Sequence, residues 1–147
     1  MKLNSGSSSG YPANNSTVVQ NGNFNTNNTG GVHVGMALSL TIKKTGNVLL
    51  LFSANITQST ATDGGTVAFA YGTGTPPISG ALPTGTELSQ HVSYTGLPVS
   101  GNDYPISNHY LLTGLTVGTT YWFDIVANAE TGGIMNLYDK ALTACEL

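Results

Sequence analysis

Few side chains in this chain are equipped for acid–base, nucleophilic or metal chemistry. His33, His91 and His109 fall in different predicted strands with no carboxylate at a ligand-like spacing, so neither a zinc nor a calcium pattern is present. His33, on the less apolar side of its strand, reads as a packed or interfacial imidazole. Serine is abundant, yet no nucleophile-elbow motif encloses one, which leaves a hydrolytic Ser-His-Asp set without support. Gly72-Thr73-Gly74 is followed by no helix whose N-terminus would hold a phosphate. Asn15-Ser16-Thr17 and Asn55-Ile56-Thr57 match the glycosylation acceptor pattern, but without a secretory signal they are products of an Asn- and Thr-rich composition. Cys145 is the only cysteine, so no disulfide or thiolate metal site forms within one subunit, and its place in an alternating apolar segment marks it as a small core residue. The expectation is a non-enzyme without metal or cofactor. The loops around His91, Tyr94, Asn102, Asp103 and Tyr104 combine aromatic rings with polar groups suited to stacking on and hydrogen-bonding a host-surface glycan, although ordinary exposed loops are the favoured reading.

Composition narrows the partners. Charged residues make up 7% of the 147, and the basic set is Lys2, Lys43, Lys44 and Lys140, without arginine; about 25% charged is usual. Phosphate backbones demand a clustered basic footprint, so nucleic acid is excluded as a partner. Lys43 and Lys44 are solvated turn charges. A net charge of -3 repels neighbours weakly, which suits a protein that works packed in an assembly. No apolar run approaches the about 18 residues of a membrane span, and no apolar region follows Lys2, so neither a span nor a signal peptide is expected. The protein is expected to stay in the cytoplasm where it is made until it is assembled.

The elements that must carry these residues are strands. Val48, Leu50, Phe52, Ala54 and Ile56 alternate with Leu49, Leu51, Ser53, Asn55 and Thr57, the period of two that a strand imposes. Asp63-Gly64-Gly65 tolerates positive φ, and residues 66–71 return with Val67, Phe69 and Tyr71 on one side, which reads as a hairpin whose apolar face a second sheet must cover. Residues 32–42 alternate strictly and read as one long strand. Pro76, Pro77 and Pro83 turn residues 72–85 into a surface connection. Short strands follow at 86–94 and 107–113, a longer one at 119–128, and two short ones at 134–138 and 141–147. About eight antiparallel strands and no convincing helix predict an all-β jelly-roll sandwich. It spans residues 32–147 as one domain, the 19 glycines suiting its turns. Residues 1–31, with eight asparagines and the run Ser7-Ser8-Ser9, read as an extended arm whose Leu3, Tyr11, Val18, Val19 and Phe24 are separate anchors for another surface, the alternative being an arm folded back on its own domain or its own trimer.

Two resemblances bear on function. LTGLTVGTTYWF, residues 112–123, resembles the corner before the penultimate strand of a fibronectin type III domain, but two strands follow it here where such a domain has one. The better match covers residues 32–147: TGNVLLLFSANI, DGGTVAFAYGTGTPP, TGLTVGTTYWFDIVA and the closing ALTACEL resemble Gly/Thr-rich domains of tailed-bacteriophage virion proteins, tail fibres and small head proteins among them. The turn at Gly118, the aromatic strand and the closing strand are also similar to the tumour-necrosis-factor and complement-type jelly roll, which implies a homotrimer. Together these resemblances imply a capsid decoration (cement) protein on the outer surface of the virion, trimeric and strapped by its arm to the major capsid protein. The alternative is the receptor- or glycan-binding tip of a tail or head fibre, which would normally need a trunk or anchoring domain ahead of the sandwich.

Overall fold

The computed structural model describes residues 14–59, 64–89, 92–94, 103–130 and 133–147. Eleven strands run along them: β1 (Asn15–Gln20), β2 (Phe24–Thr26), β3 (Val32–His33), β4 (Leu38–Thr41), β5 (Val48–Gln58), β6 (Gly65–Gly72), β7 (Thr86–Glu87), β8 (Val92–Tyr94), β9 (Tyr104–Leu112), β10 (Thr120–Ala129) and β11 (Met135–Glu146). They form two antiparallel sheets. The first has the order β1-β11-β5-β9 with β2 also on β11; the second has β3-β10-β6-β7, with β4 also on β10 and β8 also on β6. β1 and β2 follow each other along one edge of β11, β3 and β4 along β10, and β7 and β8 along β6, so the eleven strands fill eight positions, four in each sheet. This is the jelly roll that the alternation predicted.

The inward faces are those the period of two selects. Val48, Leu50, Phe52, Ala54 and Ile56 of β5 and Met135, Leu137, Leu142 and Ala144 of β11 pack against Val67 and Phe69 of β6 and Phe123, Ile125 and Ala127 of β10. Pairing departs from expectation. β5 and β6 are not a hairpin: β5 lies between β11 and β9, and β6 between β10 and the β7/β8 pair. Each has a face that must be buried, and facing each other across the core satisfies both. Side-by-side pairing would leave both on one surface.

Three further expectations change. The alternation of residues 32–42 places Val32, Val34, Met36, Leu38, Leu40 and Ile42 in the core, but the strand is broken into β3 and β4 at Gly35, whose φ is +79°. The two closing strands are one, β11, with a register shift between Tyr138 and Ala141 where Asp139 adopts φ 46°. Residues 86–94 hold two short strands rather than one. The expected boundary between arm and sandwich at residue 31 also moves. β1 pairs with β11 over its whole length from Asn15↔Cys145 to Gln20↔Lys140, and β2 follows on the same edge. Asparagine and serine conceal this because an edge strand is held by its backbone, to which side-chain polarity is irrelevant.

Candidate functional site

The two outer faces of the sandwich are unlike. On the second sheet, Trp122 and Val126 of β10 and Ala70 of β6 point outward, yet all three are buried in a small cluster of their own. Residues 73–85 cover this face. The Trp122 indole N–H donates to Thr73 O at 3.2 Å. The His33 N–H donates to Ala81 O at 2.8 Å, and Gly80 N–H returns to His33 O at 2.9 Å. Gly35 is required beneath this loop, because a Cβ there would stand 2.5 Å from Ser79 N.

At the centre of the covered face lies a fully buried pair, His33 Nδ1 to Asp124 Oδ2 at 3.1 Å. Asp124 also accepts the N–H groups of Ile125 (2.8 Å), Met36 (2.9 Å) and Gly35 (3.2 Å). Burial pushes its carboxyl above the ordinary value, against the pull of those N–H donors and of His33. The Thr84 N–H donates to His33 Nε2 at 3.1 Å, so the ring hydrogen sits on Nδ1, facing Asp124. Thr84 Oγ1 lies 3.4 Å from the same nitrogen, completing an Asp-His-Thr line that looks catalytic. It is not equipped as one: the Nε2 lone pair that would take a hydroxyl proton is already held by a backbone donor. The His33–Asp124 partnership was missed from sequence because 91 residues separate the two. The one signal was an aspartate between Trp122 and Val126 in an otherwise apolar strand.

The outer face of the first sheet is bare. Register aligns Asn15, Cys145, Leu49 and Leu111 in one row, Thr17, Thr143, Leu51 and His109 in the next, and Val19, Ala141, Ser53 and Ser107 in a third. None is Asp, Glu, Lys or Arg. Val19 is 63% exposed, Leu51 43% and Leu111 52%. A groove of about 340 Å³ runs between Leu51, Ser53, Ser107, His109, Ala141 and Thr143. Of the three charges of β11, Asp139 is exposed and accepts from Asn55 Nδ2 at 3.2 Å, while the other two are turned away from this face. Lys140 is buried with its ammonium on Gly22 O and Leu137 O, and the Glu146 carboxylate is enclosed by four donors: Asn14 Nδ2 and the N–H groups of Lys43, Lys44 and Thr45. Cys145, expected in the core, is instead half-buried on this outer face.

The expected site residues are dispersed. Of the arm anchors, Leu3 and Tyr11 lie outside the described residues. Phe24 is buried in the core and Val18 packs against it, so neither is free to grip another molecule, whereas Val19 stands on the bare face. Of the glycan-binding set, His91 and Asn102 lie outside the described residues. Tyr94 and Tyr104 belong to opposite sheets and pack against the core, so they do not form one stacking platform, and burial raises the Tyr94 phenol. Asp103 is exposed. Among the described residues no group of three or more His, Cys, Asp or Glu side chains is placed to hold a metal ion.

Eight ladder positions and a closed core define the class: a jelly-roll β-sandwich. Solved structures share the fold. A chain in the structure of infectious bursal disease virus, Gx strain, matches with a TM-score of 0.54 at 12% identity over 91% of this chain. The chain spans 32% of the length of that viral chain. Eiger TNF from S. frugiperda matches with a TM-score of 0.52 at 8% identity over 93% of this chain and 94% of its own length. No protein-family model and no curated protein matches.

Proposed function

We propose that the protein is a structural component of a virion: a capsid decoration protein of a tailed bacteriophage that trimerises and stands on the outer shell. The observation that carries this reading is the asymmetry of the outer faces. One is roofed by its own loop; the other presents Val19, Leu51 and Leu111 on a surface four strands wide whose three central rows carry no Asp, Glu, Lys or Arg. Copies meeting on such a face bury aliphatic area without bringing like charges together, which favours self-association. Jelly-roll neighbours in a virus and in a tumour-necrosis-factor protein support the fold on which the reading rests.

The chain ahead of Asn14 supplies the link to the major capsid protein. Thirteen residues, Leu3 and Tyr11 among them, span at most about 45 Å when extended, enough to reach beyond one subunit. The rival reading, a glycan-binding fibre tip, is weakened by Tyr94 and Tyr104 having their rings against the core.

Light scattering on the full chain tests the trimer. Three copies are expected, with Leu51→Lys combined with Leu111→Lys giving a folded monomer. Deleting residues 1–13 is expected to leave the trimer intact and abolish binding to purified shells, while immunolabelled virions carry label on the head. A monomeric full chain at micromolar concentration, or label confined to the tail, would overturn the proposal.

A further inference from the structure

The loop of residues 73–85 contains no strand, yet it is fastened to β3 through a single residue. His33 engages it three times, with its N–H to Ala81 O, its carbonyl from Gly80 N–H, and its ring Nε2 from Thr84 N–H. The first two bonds survive any change of ring charge. The third does not, because it requires a lone pair on Nε2. We propose that His33 is an acid-operated latch: a second ring proton turns Nε2 from acceptor to donor, expels the Thr84 N–H, and releases this end of the loop from the outer face of the second sheet.

The surroundings favour that site for the proton. Asp124, from β10, is the charged group against the ring, and its Oδ2 already holds Nδ1–H at 3.1 Å, so a counter-charge awaits the imidazolium. Asp124 itself is a poor site for the proton. Oδ1 faces the N–H groups of Met36 and Ile125, and Oδ2 faces His33 and Gly35, which leaves a new O–H no acceptor. The other β10 side chain at the ring, Trp122, is neutral and meets it edge-on with centroids 5.7 Å apart. The loop brings no titratable side chain at all between Thr73 and Gly85. Nε2 lies against Thr84, which is itself exposed, so a single residue separates the buried ring from the surface. Once protonated, Nε2–H has an acceptor in Thr84 Oγ1, 3.4 Å away, so the Thr84 side chain takes over the contact while its backbone N–H swings out and shifts the adjoining Gly85. Release of the Thr84 end lifts Gly85, which packs against the Trp122 ring, while the Ala81 and Gly80 bonds to His33 hold the rest of the loop in place.

Trp122 is the only tryptophan, so its fluorescence reads this one place. With the full chain, acrylamide quenching of Trp122 is expected to rise severalfold as pH falls from about 8 to about 5, in a one-proton transition, with far-UV circular dichroism unchanged. His33→Gln, which cannot acquire the charge, should abolish the transition, and His109→Gln, on the other sheet, should leave it in place. Thr84→Val keeps the latching N–H but removes the substitute acceptor, so its midpoint should move to lower pH; this variant carries the test should His33→Gln fail to fold. Quenching that stays flat in the wild type, a transition that persists in His33→Gln, or an unmoved midpoint in Thr84→Val would each overturn the proposal.

Discussion

Glu146 shows how a single carboxylate fastens a chain that has few charges to spend. Burial pushes its carboxyl up, but the Asn14 amide and the N–H groups of Lys43, Lys44 and Thr45 outweigh that, taking it from an ordinary 4.5 down to about 2. The ionised form therefore stabilises the fold fully above pH 4.5, and the contribution fades as pH falls toward about 2. Glu146→Gln turns one donor toward another. Its urea midpoint should lie below that of the wild type at pH 7, and the gap should close between pH 4.5 and about 2. A gap of constant size across that range would mean the carboxylate charge is not what matters.

At the scale of elements, β11 is the spine, with β1 and β2 along one edge and β5 along the other. Its bulge has a purpose the sequence hides. At Asp139 the strand turns through φ 46°, the register shifts, and Lys140 swings inward so that its ammonium holds Gly22 O in the connection between β1 and β2. Desolvation lowers the ammonium's pKa, opposed by nearby Asp139, so the charge is retained at a cost that its hydrogen bonds offset. Lys140→Met keeps the volume and removes the donors. A charged hydrogen bond is worth about 1.5–3 kcal/mol, so amide exchange in β1 should speed up by about one to two powers of ten. The amides of β5 and β10 should be unaffected; uniform acceleration across both sheets would show that Lys140 supports the whole fold instead.

For the whole molecule, the position of the arm decides which truncations are informative. Removing residues 1–13 ends the chain just before Asn14 and leaves every described strand intact. Removing residues 1–31 strips β1 and β2 from β11, takes Phe24 out of the core and exposes a long strand edge. Losing a buried Phe alone costs about 3–5 kcal/mol, a large share of a domain's stability. The shorter deletion should match the full chain in melting temperature, and the longer should aggregate on expression. Equal stability of the two products would show that β1 and β2 contribute nothing to the fold.

Period-two alternation by itself determined which side chains face inward, from Val48 to Ile56 and from Val32 to Ile42, because a strand's geometry leaves no other assignment once one face is apolar. It determined the all-β class for the same reason, whereas the count of about eight matched only because reading β11 as two strands offset the missed β1/β2 edge. Only the tertiary structure decided that β5 pairs with β11 and β9 rather than with β6, because edges are satisfied by whichever backbone completes a sheet, and backbone donors are alike at every residue. It likewise decided that residues 15–26 are strand, and that Asp124 meets His33. Such a meeting is created by packing two sheets over one core, and no local pattern 91 residues apart records it.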